Sequence, residues 1–469
     1  MTSLATQLQS FQHAFSASPV PNAATRIKHL EQLEQALLQQ QDAFIRAITQ
    51  DFGKRSADET KLAELLPSLE GIKYAKKRIK RWMRPSRRAV GLAFQPAKAR
   101  VEYQPLGVVG IIVPWNYPLY LAIGPLVAAL AAGNRVMIKM SEYTPATASA
   151  LQQLIADVFA SDHVAVITGG PDVGKAFAEL PFDHLLFTGG TEIGRHVMAA
   201  AAKNLTPVTL ELGGKSPAII GTLKGAAERA EAAERIAFGK ALNAGQTCVA
   251  PDYVLCPADE LESYAALIKT AWERMYPSFR DNPDYTQIIN DRQHQRLTEV
   301  IDEARASDAQ LIQCNPAGED FDDSRVIPPT IVMGGSPNLR IYHEEIFGPV
   351  LPILPYQNIE DAVRQVNAGS RPLALYYFGY NKKEQRYVLD HSRSGGVCLN
   401  DTVFHVAQDD LPFGGVGQSG MGHYHGHEGF LTFSKARSIL SKGKLNSAKL
   451  IYPPYGGRLL RLIYRLFIR

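Results

Sequence analysis

Cys248 closes the run Leu242-Asn243-Ala244-Gly245-Gln246-Thr247-Cys248. A thiol behind Gly-Gln-Thr suits a nucleophile on a tight loop, because a glycine-bearing turn lets a substrate come close to the backbone. The thiolate is the reactive form and a free thiol is mostly protonated at neutral pH. The alternative is a buried structural cysteine, the commonest fate of a lone Cys. If its sulfur attacks a carbonyl, the N–H of Cys248 could bond the resulting oxyanion. Glu211, in Leu210-Glu211-Leu212-Gly213-Gly214-Lys215, ends an apolar strand. It is either a satisfied structural acid or a general base whose carboxyl is raised toward the working pH by partial burial. Asn116, in Pro114-Trp115-Asn116-Tyr117-Pro118, sits on a turn stiffened by flanking prolines. Its amide is either a neutral donor to a transient oxyanion or a turn former. Thiol, carboxylate and amide donor together are what oxidation of an aldehyde through a thioester requires.

A second group of residues suits a dinucleotide. Phe187-Thr188-Gly189-Gly190-Thr191-Glu192-Ile193-Gly194 reads as a strand, a glycine turn and a helix start. Backbone N–H groups at such a terminus can hold a pyrophosphate, although the spacing is not G-x-G-x-x-G and is weak in isolation. Lys139 and Glu142 follow an earlier strand. They could hydrogen-bond ribose hydroxyls at the carboxyl edge of a parallel sheet, or form a surface pair. A carboxylate near a ribose 2′-hydroxyl favours NAD over NADP, whose 2′-phosphate it would repel. Glu344-Glu345-Ile346-Phe347-Gly348-Pro349 is either a plain loop or a place where Glu345 holds the nicotinamide ribose and Phe347 packs on the ring. His423, His425 and His427 alternate as if on one strand face. Gly420, Gly422, Gly426 and Gly429 mark that region as turn-rich, and no Cys or carboxylate completes a zinc set, so no metal is expected.

Positioning these groups takes an α/β framework. Residues 26–50 read as an amphipathic helix closed by Gly53, and 57–82 as a second helix ending before Pro85. The basic run from Lys76 to Arg88 is either an anion surface or, more simply, a solvated helix face leading into a linker. Strands are expected at 108–113, 135–140, 164–168, 185–188 and 208–212, with helices at 119–132 and 145–160. That alternation implies a parallel, doubly wound sheet. A second α/β stretch runs from about 213 to 410, with strands near 216–220, 251–256, 350–354 and 375–379. There is no internal repeat. The last residues, Leu459 to Arg469, would form a short helix with Arg458, Arg461, Arg465 and Arg469 opposite a broad apolar face. It could lie in a membrane interface, or dock on its own or a partner subunit.

At 469 residues the chain exceeds what one core usually holds, so two or three domains are expected. With 50 basic and 46 acidic residues the net charge is +4, too balanced to argue for nucleic acid. The four cysteines make no disulfide framework, which suits a reduced cytoplasmic setting. The first fifteen residues carry no apolar signal-peptide core, and no apolar run is long enough to span a bilayer.

Taken together, these motifs resemble the aldehyde dehydrogenase superfamily over about residues 25–440. Pro412-Phe413-Gly414-Gly415 adds to the set. The tail Gly420-Met421-Gly422-His423-Tyr424-His425-Gly426 is similar to the class 3 branch, and Phe404-His405-Val406-Ala407-Gln408-Asp409-Asp410-Leu411 to bacterial coniferyl aldehyde dehydrogenases. The resemblance implies a Rossmann-type coenzyme domain (1–85 and 106–211), an α/β catalytic domain (212–410), a small β oligomerisation extension (86–105 and 425–440) and a tail (441–469). It implies a homodimer. It assigns Cys248 as nucleophile, Glu211 as base and Asn116 as oxyanion donor. Trp115, Lys139, Glu142, Gly189, Gly190, Thr191, Gly194, Glu345 and Phe347 become coenzyme contacts. NAD is the implied coenzyme, with the choice against NADP open, since class 3 relatives often accept NADP despite a matching glutamate. Gly190 stands where many relatives have Ser, which touches one pyrophosphate contact. The substrate is expected to be an aromatic aldehyde such as coniferyl aldehyde, with a long-chain aliphatic aldehyde, or coenzyme-independent thiol hydrolysis, as the alternatives. Tyr117, Tyr120, Phe404 and His405 are candidate tunnel linings.

Overall fold

The computed structural model describes residues 3–91, 94–446, 449 and 451–468. An N-terminal helical layer is built on the long helix Ala23–Phe52. The Asn22 side chain accepts the Thr25 N–H and starts it, and Gly53, at φ 81°, ends it. Its apolar stripe, Leu30, Leu33, Leu37, Phe44 and Ile48, is fully buried. The second expected helix is one rod in three parts: Ala57–Thr60, a π-turn at Lys61–Leu65, and Leu66–Trp82. The widened turn carries the buried Glu64.

Two mostly parallel sheets follow, each with one antiparallel edge strand, Gly420–Met421 in the first and Ala309–Gln313 in the second. The first has six strands in the order Gly420–Met421, Val208–Leu212, His184–Gly189, Val108–Ile112, Arg135–Lys139, Val164–Ile167. All pair in parallel except the two-residue edge strand, which is antiparallel to Val208–Leu212. Its central strands are almost wholly buried, as expected of a sheet covered on both faces. The helix Tyr120–Ala132 covers one face and ends on Gly133 in the left-handed conformation. The second sheet has seven strands in the order Ala309–Gln313, Thr330–Gly334, Val350–Tyr356, Tyr253–Pro257, Pro217–Ile220, Ala374–Phe378, Gly396–Leu399.

The strands expected near 216–220, 251–256, 350–354 and 375–379 are therefore the four neighbouring strands of this second sheet. Of those left unread, Ala309–Gln313 and Gly396–Leu399 lie at its edges, where short or half-exposed segments carry little apolar signal, while Thr330–Gly334 is an interior, buried strand that the sequence reading passed over. A separate antiparallel sheet joins Ser86–Arg88, Lys98–Pro105 and Ser434–Ser441. Arg87 and Arg88 thus lie on a strand instead of in a linker. Lys76 donates to Glu34 at 2.7 Å, and the Arg78 guanidinium lies over the Tyr74 ring at 3.6 Å. The C-terminal helix spans Arg458–Phe467. Leu460 is its one buried residue, while Leu462, Leu466, Phe467 and Ile468 are exposed. The last arginine of its cationic stripe, Arg469, lies outside the described residues, as do Met1, Thr2, Leu92, Ala93, Ser447, Ala448 and Leu450.

Candidate active site

The carboxyl ends of the first sheet's strands and the amino ends of the second sheet's strands face one cleft of about 370 Å³. Trp115, Asn116, Gly189, Gly190, Glu211, Cys248, Glu345 and Phe347 all line it. Cys248 follows the helix Ala226–Ala241 through a turn in which Asn243, Ala244 and Gly245 have φ of 53°, 50° and 73°. A left-handed conformation costs a non-glycine residue about 1–2 kcal/mol, so this loop must be held from outside. Its bonds show how. The Asn243 side chain donates to the backbone carbonyls of Asn116 at 3.0 Å and Gln246 at 3.1 Å. The Gln246 amide donates to the Asn243 carbonyl at 3.0 Å and the Gln287 carbonyl at 3.2 Å, and accepts the Ile289 N–H at 3.0 Å. Thr247 Oγ1 shares a 2.7 Å hydrogen bond with the Tyr117 hydroxyl. Asn116 donates one amide N–H to the Gln246 carbonyl at 3.1 Å, which ties its side chain directly to the cysteine loop.

Glu211 stands on the strand Val208–Leu212, between Thr188 and Gly420 in register. It is 2% exposed, and neither carboxyl oxygen has a hydrogen-bond partner. Burial alone pushes its carboxyl well above the usual range. Glu345 lies against the backbone of Gly213, where a Cβ would fall 2.0 Å from Oε2. Burial and then Asp252 push Glu345 up to about 8, against the Gly214 N–H that favours its charged form. Cys248 is pushed up to about 12, by burial first and by Glu345 and Glu211 after it. The charges that bear on the sulfur are therefore carboxylates. Burial thus favours the neutral thiol of Cys248 and the neutral carboxyl of Glu211 over the preformed thiolate and carboxylate that the residue types alone evoke.

The chain matches the aldehyde dehydrogenase family model over residues 5–439. This chain belongs to the aldehyde dehydrogenase family. It is 59% identical over 456 residues to a Pseudomonas aeruginosa protein named "Probable coniferyl aldehyde dehydrogenase", covering 97% of this chain and 94% of that one. The substrate-bound structure of AldH from Staphylococcus aureus superposes with a TM-score of 0.93 at 35% identity, covering all of both chains. Betaine aldehyde dehydrogenase from the same organism, in complex with NAD+, superposes at 0.83 with 26% identity, covering 94% of this chain and 87% of that one. The protein is an aldehyde dehydrogenase enzyme, and the α/β architecture expected from its motifs is the one found.

Four of the twelve site residues read from the sequence stand away from the cleft wall of this aldehyde dehydrogenase. Lys139 ends its strand at the same sheet edge, donates to the Met140 carbonyl at 2.7 Å and lies 4.0 Å from Glu142. Thr191 donates to the Gln418 carbonyl at 3.2 Å. Gly194 faces inward: a Cβ there would meet Leu212 at 2.6 Å, so this glycine sets how closely its helix approaches the sheet. The tunnel candidates also stand elsewhere. Tyr117 is buried on Thr247, and Tyr120 lines a separate cavity of about 30 Å³. Phe404 stacks on Phe238, and His405 lies edge-on to Tyr376. Leu121, Leu373, Phe413 and Tyr424 supply the apolar wall instead.

The three histidines share no strand face. His423 faces Glu428 at 3.4 Å, His425 precedes a helix with φ 95°, and His427 stacks on Trp82. Gln293 and Arg296 also line the cleft and were not read from the sequence. They sit on an ordinary polar helix, Asp291–Arg305, and only the tertiary fold turns them inward. Lys215, quoted only as part of the Glu211 motif, pairs with Asp252 and donates to the Ile341 and Glu344 carbonyls at 2.9 Å each. Asp252 in turn accepts the Ile346 N–H at 3.0 Å, which pins the loop carrying Glu345 and Phe347.

Proposed function

We propose that this enzyme oxidises an aromatic aldehyde of the coniferyl type to its carboxylic acid, with Cys248 as nucleophile, Asn116 as oxyanion donor and Glu211 as base. The observation that carries this reading is the presence of all three on one cleft, with the Asn116 amide bonded to the cysteine loop. The Cys248 sulfur bonds the aldehyde carbon and gives up its proton to solvent water. The oxygen takes the negative charge and is met by the second Asn116 amide N–H and the Cys248 N–H. A bound nicotinamide coenzyme would supply the hydride acceptor there, and loss of hydride from that carbon would leave a thioester on Cys248. Glu211, once ionised, takes a proton from a water molecule that attacks the thioester, and carboxylic acid and thiol part. The substrate class rests on the Pseudomonas aeruginosa relative and on the apolar wall of Leu121, Leu373, Phe413 and Tyr424.

The residues at the other end of the cleft fit NAD. The helix Thr191–Ala202 begins at Gly190 with no side-chain cap, so its N–H groups are free for a pyrophosphate. A Cβ at Gly190 would meet nothing within 4 Å, and that space suits a phosphate oxygen. Glu345 would accept from the nicotinamide ribose, Lys139 and Glu142 from or to the adenine ribose, and Phe347, edge-on to Trp115 at 5.3 Å, would pack on the ring. A panel of aromatic and aliphatic aldehydes with NAD or NADP, read as reduced-coenzyme formation, tests the reading. Preference for a long-chain aliphatic aldehyde would move the substrate class. Product without reduced coenzyme would favour thiol hydrolysis.

The domain division 1–85 with 106–211, 212–410, and 86–105 with 425–440 is our reading of the two parallel sheets and the small antiparallel one. The small sheet is the surface we assign to a homodimer, to be checked by sedimentation. Among the described residues no helix is long and apolar enough to cross a membrane. The exposed Arg458–Phe467 helix is assigned to peripheral membrane contact from the cytoplasmic side; vesicle binding that survives deletion of 458–469 would count against it.

A further inference from the structure

Arg55 lies just past the long N-terminal helix and its side chain is fully buried. Nη1 donates to the main-chain carbonyl of Asn116 at 3.0 Å and lies 3.0 Å from Glu64 Oε1. Nε lies 3.5 Å from Glu59. The guanidinium also covers the Tyr117 ring at 4.9 Å. The two acids reach onward. Glu64 Oε2 accepts the N–H groups of Leu119 at 2.7 Å and Tyr120 at 3.1 Å. Glu59 accepts from Thr286 at 3.4 Å and from the backbone N–H of Asn243. One buried ionic cluster therefore grips both ends of the segment from Asn116 to Tyr120 and the left-handed residue that starts the cysteine loop.

Stability alone does not explain this arrangement. Taking charges out of water costs several kcal/mol each, and well-packed apolar residues commonly do as well or better. Burial pushes both Glu59 and Glu64 up, and Arg55 opposes it. What the cluster supplies is direction: a planar guanidinium fork can hold a carbonyl and two carboxylates at fixed angles at once. We infer that Arg55 is a positioning residue for the oxyanion donor, setting the Asn116 backbone so that its amide faces the carbon attacked by Cys248. This rests on the reading of Asn116 as that donor.

The test is a double-mutant cycle on the full-length enzyme with Arg55→Lys and Asn116→Ala. Lysine keeps the charge but replaces the planar fork with a point ammonium, which cannot keep the same angles to the Asn116 carbonyl and the two carboxylates. Misplacing a catalytic group by about 1 Å can cost up to ~100-fold, so Arg55→Lys is expected to lower kcat by roughly 10- to 100-fold, with NAD affinity, read by fluorescence, within about twofold of wild type. In the Asn116→Ala background the same change is expected to cost less than about twofold more, because a residue acting through Asn116 has nothing left to act on. Full turnover of Arg55→Lys, or an equal loss in both backgrounds, overturns the proposal. Wild-type turnover of Asn116→Ala alone overturns the reading beneath it, and is distinguishable by needing no Arg55 variant. If Arg55→Lys does not fold, Glu64→Gln replaces it in the cycle. Its amide oxygen still accepts the Leu119 and Tyr120 N–H groups while the ion pair is lost, and the same non-additivity is expected.

Discussion

The loop that carries Cys248 and the turn at Gly189–Gly190 face the same cleft and are held in opposite ways. The first is strained and fully tied: Asn243 and Ala244 are left-handed without being glycines, and every nearby amide side chain bonds a backbone group. The second is relaxed and open: Gly190 has an extended φ of −67°, and its helix has no side-chain cap. The reacting carbon must meet sulfur and amide at fixed angles, whereas a coenzyme must enter and leave. On the proposed roles, rigidity is concentrated where bonds would change, and unsatisfied N–H groups are left where a coenzyme would satisfy them.

Substitutions in the two regions should therefore differ in kind. Cys248→Ala should abolish formation of reduced coenzyme while NAD binding, followed by fluorescence, remains measurable; residual oxidation would remove the thiol from the mechanism. Asn116→Ala should lower turnover by roughly two to three orders of magnitude, the usual cost of losing one oxyanion donor, and steady-state kinetics at saturating aldehyde would measure it. Gly245→Ala puts a Cβ 2.3 Å from the Gly348 carbonyl at φ 73°. It should destabilise by more than about 1 kcal/mol, seen as a lower midpoint in thermal unfolding. Gly190→Ser, by contrast, fills open space at an ordinary φ. It should leave the unfolding midpoint unchanged and shift only coenzyme affinity; a stability loss equal to that of Gly245→Ala would erase the distinction between tied loop and open turn.

Charge makes the same distinction through pH. Burial favours the neutral form of Glu211, so its folded-state pKa is raised. The base form appears only as pH rises through that raised value, and thioester hydrolysis should rise with it. Stability moves the other way. The folded state holds the Glu211 proton more tightly than the unfolded chain does, so this contribution is complete below the ordinary carboxyl range and is lost as pH rises through the folded pKa. Glu211→Gln should flatten that loss, measured as unfolding midpoint against pH.

Much of this site was legible in sequence because strand-end motifs carry both local backbone signals and chemistry. Glu211, Cys248 and Asn116 were each followed or preceded by Gly or Pro, which announces a turn at a strand or helix end. The central strands were legible for the same reason, as short apolar runs between turn residues. Gln293 and Arg296 were not, because a polar helix gives no sign of which face the fold will turn to a cleft. Nor was the Arg55 cluster, since only Glu59 is a local partner, four residues on, and Asn116 joins it through tertiary contact. Tyr120 and Phe404 were misplaced because nearness in sequence to Asn116, or membership of a distinctive stretch, does not fix the direction of a side chain. The direction in which these groups shift was the least legible of all: burial in the folded cleft sets it, with Glu345 and Glu211 beside the sulfur adding to it.

The most direct test is to mix the Glu211→Gln enzyme with aldehyde and NAD and follow one turnover, then weigh the intact protein and its Cys248 peptide. Separate roles for thiol and base in one cleft predict a burst of about one reduced coenzyme per site, near-zero steady-state rate, and an acyl group held on Cys248. An unmodified Cys248 peptide with sustained wild-type turnover would contradict it.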